Sequence, residues 1–241
     1  LFQSNLDTGT QYYNFKYLYP MGMEEYASSD SADAGLERYF NNIFSNLCWS
    51  ISARNYCQLL QYDRLDRKSK LNVQLIEYDG PVENYNDFNL VEIFTYGESL
   101  NDAEQDNLRG QLHQVQDLSG ITLSSQYSML GNVLKSSKQL VADYKTPANW
   151  NNTVPLDPKI YHLAFTFDAL GYLLTESTPD GSVTTFHYNI AGLLDKVDVA
   201  GIHDFQQEIV RQIEYDANRQ RKKIVYGNGI QTSYSYEWTT Q

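Results

Sequence analysis

The chain has 241 residues, with 30 acidic against 18 basic side chains and a formal charge of −12. That balance excludes the basic face a nucleic-acid binder needs and disfavours an anionic membrane surface, while 41% hydrophobic content excludes a disordered chain. Aromatic residues make up 14%, with 20 Tyr against 10 Phe, which favours a sheet protein with one apolar side and a wet rim.

In chain order, residues 1–55 open with Tyr12, Tyr13, Phe15, Tyr17 and Tyr19 before Pro20, an alternation that predicts a strand. The acidic, Ser-rich stretch from Glu24 to Ala34 reads as a loop or linker. Leu36, Tyr39, Phe40, Ile43, Phe44 and Leu47 then fall at helical spacing, with Ser31 or Asp33 as N-cap, and predict one N-terminal helix over roughly 34–47. Residues 56–241 read as a repeat region of strands. Val91–Tyr96 predicts one strand, Leu71–Tyr78 alternates as another, and a loop insertion interrupts the pattern near 138–160, marked by Pro147, Trp150 and Pro155. No apolar run approaches the length of a membrane span, and no signal peptide is visible. Starting at Leu1 and stopping at Gln241, the chain reads as a piece of something longer.

The repeat is plainest between Phe167 and Tyr236. Phe167-Asp168-Ala169-Leu170-Gly171 is followed by a turn at Thr178-Pro179-Asp180-Gly181-Ser182. Tyr188-Asn189-Ile190-Ala191-Gly192 and Tyr215-Asp216-Ala217-Asn218 repeat the pattern, and Tyr226-Gly227-Asn228-Gly229-Ile230 makes the last tight turn. Earlier copies are Tyr62-Asp63-Arg64-Leu65-Asp66, with Asp in place of Gly, then Asp117-Leu118-Ser119-Gly120 and Tyr127-Ser128-Met129-Leu130-Gly131. Each unit has an aromatic that closes a strand and an Asp or Asn that bonds back to the backbone and starts a turn. A Gly or Asn three residues later takes the positive φ. One such hairpin cannot bury a face alone and must stack on the next, which predicts a mainly β, antiparallel hairpin array.

These residues resemble the YD-repeat or RHS-repeat family. Phe94-Thr95-Tyr96-Gly97-Glu98, Asn107-Leu108-Arg109-Gly110-Gln111-Leu112 and the run from Ser136 to Lys145 narrow the likeness to the repeat region of bacterial toxin-complex B components. The resemblance covers roughly residues 56–241. It implies a β-ribbon spiralling into a hollow shell that encloses or scaffolds a toxin polypeptide. The implied partners are other RHS-repeat segments of the same parent chain, or a partner toxin subunit, with a polypeptide cargo and a secreted, extracellular location. The chain is far too short for a closed shell and lacks the self-cleaving aspartyl-protease segment, so it would be one stretch of wall.

Chemistry is sparse. Asp63, Asp117, Asp168, Asp180 and Asp216 all stand where an Asp bonds its own turn, which favours structure over acid–base work or calcium binding. His113, His162, His187 and His203 are too scattered for a metal set, and no nucleophile elbow, phosphate loop or dinucleotide fingerprint occurs. Cys48 and Cys57 have no His set nearby, and a disulfide between them stays open. Arg219, Arg221, Lys222 and Lys223 form the one basic run, best read as a solvated turn. Asn151-Asn152-Thr153 matches a glycosylation acceptor. The expectation is a non-enzymatic structural segment without cofactor or metal. Its structural positions are the repeat-turn residues Tyr62, Asp63, Asp117, Gly120, Tyr127, Gly131, Phe167, Asp168, Gly171, Asp180, Gly181, Tyr188, Asn189, Gly192, Tyr215, Asp216, Gly227 and Gly229. The alternative is a cell-surface adhesion or carbohydrate-binding module using flat aromatics such as Trp150, Trp238 or the Tyr234 and Tyr236 pair.

Overall fold

The computed structural model describes residues 2–4, 11–19, 27–76, 88–201 and 205–237. Almost every regular element among them is a strand. The chain divides into two compact units, one of residues 1–95, 114–121 and 140–157, the other of 96–113, 122–139 and 158–241.

In the first unit, β1 (Phe2–Ser4) pairs with β2 (Gln11–Tyr13). There follows an antiparallel meander of β3 (Phe15–Leu18), β4 (Ser28–Ser31), β5 (Gly35–Asn41), β6 (Leu47–Ile51), β7 (Tyr56–Tyr62), β8 (Lys68–Leu75) and β9 (Asn89–Tyr96). A single 3₁₀ turn follows at Gly97–Ser99. Strands β10 (Leu112–Asp117), β11 (Gly120–Tyr127) and β12 (Val133–Val141) contribute residues to both units. In the second unit a meander runs through β13 (Leu156–Phe167, from Pro158), β14 (Leu173–Ser177), β15 (Val183–Tyr188), β16 (Leu194–Ala200), β17 (Gln206–Tyr215), β18 (Arg221–Tyr226) and β19 (Gln231–Ser233).

The predicted helix over 34–47 is absent. Gly35–Asn41 is β5, Asn42–Asn46 is a turn, and Leu47 opens β6. The apparent i,i+4 spacing is a strand–turn–strand in disguise. Leu36 and Phe40 share one exposed face of β5, Ile43 and Phe44 stand at the turn tip, and Leu47 belongs to the returning strand. The supposed N-cap Ser31 does cap, but a turn: its Oγ accepts the amides of Asp33 and Ala34. A hydroxyl that caps a helix caps a turn with the same geometry, so sequence alone could not separate the two.

Burial is that of a thin sheet. Along β15 and β16 nearly every residue on both faces is half-buried, without the dry-face, wet-face alternation of a two-layer domain. In the second unit Ala103, Leu108 and Tyr127 form a small buried cluster with Val133 packed against it. In the first unit the buried side chains include Cys57, Phe88, Leu90 and Ala148. The interruption near 138–160 is an ordered loop between Val141 and Leu156, and it lies along the start of β9. The Trp150 amide donates to Leu90 O at 2.8 Å, the Leu90 amide to Asn149 Oδ1 at 3.2 Å, and Asn151 Nδ2 to Phe88 O at 2.7 Å. The amide nitrogen of the glycosylation motif is therefore engaged by backbone.

Candidate functional site: a row of tyrosine-clamped turns

One turn recurs at nine places among the described residues. It begins at Asn42, Ser52, Asp63, Ser128, Asp168, Thr178, Asn189, Asp216 and Tyr226. Each time the first residue's amide donates to the carbonyl four residues on, and the fourth residue's amide donates back to the first residue's carbonyl. The fourth residue has positive φ: Ser45, Asn55, Asp66, Gly131, Gly171, Gly181, Gly192, Arg219 and Gly229. This is a type I turn closed by a left-handed residue, the three-residue hairpin loop whose bulge matches the twist of the flanking strands. The ladder shifts register just before five of these turns, at Phe40/Asn41, Gln61/Tyr62, Thr166/Phe167, His187/Tyr188 and Glu214/Tyr215.

The side chain of the first residue caps the loop. Asp168 Oδ1 accepts the amides of Leu170 at 2.9 Å and Tyr172 at 2.8 Å. Asp63 does the same for Leu65 and Arg67, Asn189 for Ala191 and Leu193, Asp216 for Asn218 and Gln220, and Ser128 for Leu130 and Asn132 through its hydroxyl. The carboxyl of Asp63 lies below the usual range because the Arg67 side chain holds it. That of Asp180, which caps from inside its loop, lies low because the Thr178 hydroxyl and the Ser182 amide donate to it.

The aromatic before the cap closes a hairpin at its open end. Tyr62 ends β7 and its hydroxyl donates to the carbonyl of Leu47, the first residue of β6, at 2.8 Å. Tyr127 does so to Leu112, Tyr188 to Leu173 at 2.9 Å, Tyr215 to Leu194 at 2.7 Å, and Tyr236 to Arg221 at 2.9 Å. Each acceptor is the first residue of the preceding strand. The Tyr188 ring also packs on Tyr172, with centroids 5.1 Å apart. A Cβ at Gly192 would sit 2.7 Å from the Tyr172 hydroxyl, so this glycine gives both the backbone twist and room for the ring beneath.

Four further sequence-predicted positions depart from the scheme. Phe167 stands at a clamp position without a hydroxyl. Asp117 and Gly120 make a tighter turn, in which Asp117 Oδ1 accepts the Ser119 and Gly120 amides and the Asp117 carbonyl takes the Trp150 indole N–H at 3.1 Å. Gly227 is not left-handed; a Cβ there would meet the Glu208 carbonyl oxygen at 1.6 Å, so it permits close strand approach while Gly229 supplies the twist. Two turns escaped the sequence reading, at Asn42 and Ser52. Asn41 and Ile51 precede them instead of aromatics, and Ser45 and Asn55 replace glycine. A cap followed by a small polar residue three positions on was the available signal.

Of the residues weighed for chemistry, His187 joins a surface charge network across β15, β16 and β17. Its Nε2 lies 2.9 Å from Asp198 Oδ2, Lys196 Nζ lies 3.2 Å from Asp198 and 3.0 Å from Glu208, and Arg211 Nε donates to Glu208 at 3.0 Å. His187, Lys196, Asp198 and Glu208 line a hollow of about 550 Å³. Their charges neutralise one another, which leaves no unbalanced group aimed at a ligand. The Glu208 carboxyl is held low and the Lys196 amine high, each chiefly by their mutual hydrogen bond. His113 contacts the Ser124 carbonyl. Cys48 and Cys57 are both free, with burial raising the Cys57 thiol. Among the described residues no three His, Cys, Asp or Glu side chains are grouped to hold a metal, and no helix is long and apolar enough to cross a membrane. Trp150 is half-buried with its N–H bonded, Tyr236 serves as a clamp, and Trp238 and His203 lie outside the described residues.

No protein-family model matches the chain. Over 223 residues, 90% of its length, it is 25% identical to "Toxin subunit YenC1" of Yersinia entomophaga, of which it covers 22%. It is 29% identical over 161 residues to "Toxin subunit YenC2" of the same organism, covering 63% of this chain and 17% of that relative. The crystal structure of TcdB2-TccC3 matches with a TM-score of 0.82 at 27% identity, over 95% of this chain and 11% of that one. A Photorhabdus luminescens Tc holotoxin pore matches with a TM-score of 0.81 at 27% identity, over 93% and 10%. The chain thus spans about a fifth of the length of the curated relatives it matches. By sequence and by fold, the chain is homologous to the RHS-repeat components of Tc toxins.

Proposed function

We propose that this chain is a non-catalytic length of RHS shell wall that encloses or scaffolds a toxin polypeptide, acting with other RHS-repeat segments or a partner toxin subunit outside the cell that makes it. The positions that serve this role are the clamps and turns, from Tyr62 and Asp63 to Gly227 and Gly229. One observation carries the reading. In the second unit β13 to β19 follow one another as one antiparallel meander, and along β15 and β16 nearly every residue on both faces is only half-buried. A thin sheet held by its turns is what a wall requires. Asp63, Asp143 and Asp180 are each held low by hydrogen bonds within their own turns, and Glu208 by its hydrogen bond to Lys196, as expected of carboxylates that serve structure.

The test is the mass of the protein purified from its native source, with protease protection of whatever co-purifies. A parent several times larger, carrying a protease-resistant polypeptide, is expected. A native chain near 27.8 kDa with nothing enclosed overturns the reading.

A second reading has one observation in its favour. On β3, Phe15 and Tyr17 stack with centroids 6.2 Å apart and planes 7° apart while both stay half-exposed, the geometry of a flat sugar-binding platform. Glycan-array binding abolished by Tyr17→Ala would move the weight to an adhesion module.

A further inference from the structure

Three loops of the second unit carry an Asp or Asn at their third position, directly before the left-handed residue: Asp180, Asn218 and Asn228. All three side chains are exposed. In each loop the next residue's amide donates back across the turn, from Gly181 to Thr178 O at 2.9 Å, from Arg219 to Asp216 O at 3.1 Å and from Gly229 to Tyr226 O at 3.0 Å. The three therefore match in position, exposure and backbone bonding. They differ in side-chain chemistry and in the residue that follows. Asn228-Gly229 is the one Asn-Gly step in the sequence.

An Asn before Gly is reactive, because the nitrogen of the following peptide closes a five-membered ring on the side-chain carbonyl carbon and glycine puts no side chain in the way. The local structure favours that closure. Asn228 Oδ1 accepts the Ile230 amide at 3.0 Å, a bond that lays the side-chain carbonyl across the intervening peptide, with Cγ facing the Gly229 nitrogen. The same amide points at the oxygen on which negative charge grows as the ring closes. A Cβ on Gly229 would meet nothing within 4 Å, so water and hydroxide reach the reacting atoms. The Gly229 amide must first release Tyr226 O, and at an exposed loop tip such local opening costs little.

The other two loops each lack one requirement. Asp180 has the same glycine after it, and its Oδ1 accepts the Ser182 amide at 3.0 Å. Its carboxyl is held low by the Thr178 hydroxyl and stays ionised at neutral pH, and a carboxylate is a poor electrophile. Asn218 has the neutral amide, but the side chain of Arg219 crowds the nitrogen that would attack. Of the three, Asn228 alone combines a neutral amide with a following glycine.

We propose that Asn228 is a site of spontaneous deamidation. A base from solvent takes the Gly229 amide proton and the nitrogen bonds to Asn228 Cγ. The Cγ–Nδ2 bond breaks, and Nδ2 leaves as ammonia with a proton from water. Water then opens the cyclic imide on one of two sides. Cleavage between Cγ and the Gly229 nitrogen gives aspartate. Cleavage between the residue-228 carbonyl carbon and that nitrogen gives isoaspartate, with the main chain rerouted through Cβ and Cγ. Aspartate fits this loop as Asp180 fits its own. Isoaspartate adds one methylene to a loop whose length is set by two closing bonds, from the Tyr226 amide to Ile230 O and from the Gly229 amide to Tyr226 O. The β17 side cannot yield, since the Gly227 amide donates to Ile209 O and Gly227 packs against the Glu208 carbonyl. The slack passes into β19, and its pairing with β18 loosens from Gln231, opposite Val225, onward.

Ageing the 241-residue protein in mildly alkaline buffer, followed by peptide mapping with mass spectrometry, tests the proposal. The peptide holding Asn228 is expected to exchange its amide for a carboxyl at least about tenfold faster than the peptide holding Asn218. It should yield both aspartate and isoaspartate and react faster as pH rises. Asp180 should gain no isoaspartate over the same interval. Hydrogen exchange on the aged protein should show residues 230–233 opened, whereas Asn228→Asp, with the charge but not the extra methylene, exchanges as fresh protein does. Asn228 converting no faster than Asn218, or yielding aspartate alone, overturns the inference. So does aged protein whose exchange matches that of Asn228→Asp.

Discussion

At the residue scale, the hydroxyl of Tyr188 joins the end of one strand to the start of the one before it, over a ring already held by Tyr172. Removing only the oxygen isolates that bond. Tyr188→Phe is expected to cost about 1 kcal/mol, and so to lower the thermal midpoint by about 2–4 °C for a chain of this size. Tyr215→Phe should match it, since its bond to Leu194 is as good. Tyr226→Phe, which starts a turn and clamps nothing, should stay within about 0.5 kcal/mol. Two glycines two positions apart in one hairpin region make a second comparison. Gly229→Ala pays for a left-handed φ with open space around it, roughly 1–2 kcal/mol. Gly227→Ala drives a methyl into the Glu208 carbonyl and must move a backbone, so its denaturation midpoint should fall well below that of Gly229→Ala. In the sequence the two glycines look alike. What separates them is the neighbouring strand, which no local pattern records.

At the element scale, the cap sets which substitutions a loop tolerates. Asp168 acts through one oxygen accepting two amides, and Asn42, Asn189 and Ser128 do the same elsewhere without charge. Asp168→Asn is therefore expected to be nearly silent. Asp168→Ala should cost about 1 kcal/mol and accelerate amide exchange at Leu170 and Tyr172, read residue by residue. The charge network on β16 and β17 sets a pH dependence. Glu208 titrates lower folded than unfolded, so its contribution is present above the ordinary carboxylate value and fades as pH falls through the lowered one. Lys196 titrates higher folded, so its contribution is present below the ordinary lysine value and is lost as pH rises through the raised one. The thermal-midpoint gap between wild type and Glu208→Gln should thus be open at pH 7 and closed by strongly acidic pH, a small effect for exposed pairs. The caps were legible in sequence because a turn's chemistry is local: Asp63 with Asp66 was readable even without glycine, and Asp66 does take positive φ. The helix over 34–47 was misread for the same reason. Apolar residues in a strand, a tip and the next strand reproduced a helical interval, and only the partner strand, with Tyr39 opposite Ser50 and Phe40 opposite Trp49, decides between them. The clamps were half legible. The aromatic was visible beside each cap, but its acceptor lies 15 or 21 residues back and is a carbonyl, which carries no side-chain signature.

At the scale of the whole molecule, the thinness of the sheet separates this chain from a compact domain by a solution measurement. A sheet half-buried on both faces, as along β15 and β16, removes less area from water on folding than a two-layer domain of equal length. The denaturant slope of unfolding follows the area exposed, so the urea m-value is expected below that of compact proteins of equal mass. The charge of −12 alters the midpoint with salt, since exposed carboxylates repel, but it does not change the area and should leave the slope alone. Running the titration at low and high salt separates the two effects. A reduced slope that persists in salt is the mark of a thin sheet. A slope equal to that of a compact protein would mean that the faces described as half-buried are covered in solution. A protein concentration series then decides by what, because an association-dependent slope rises with concentration while an intramolecular collapse does not.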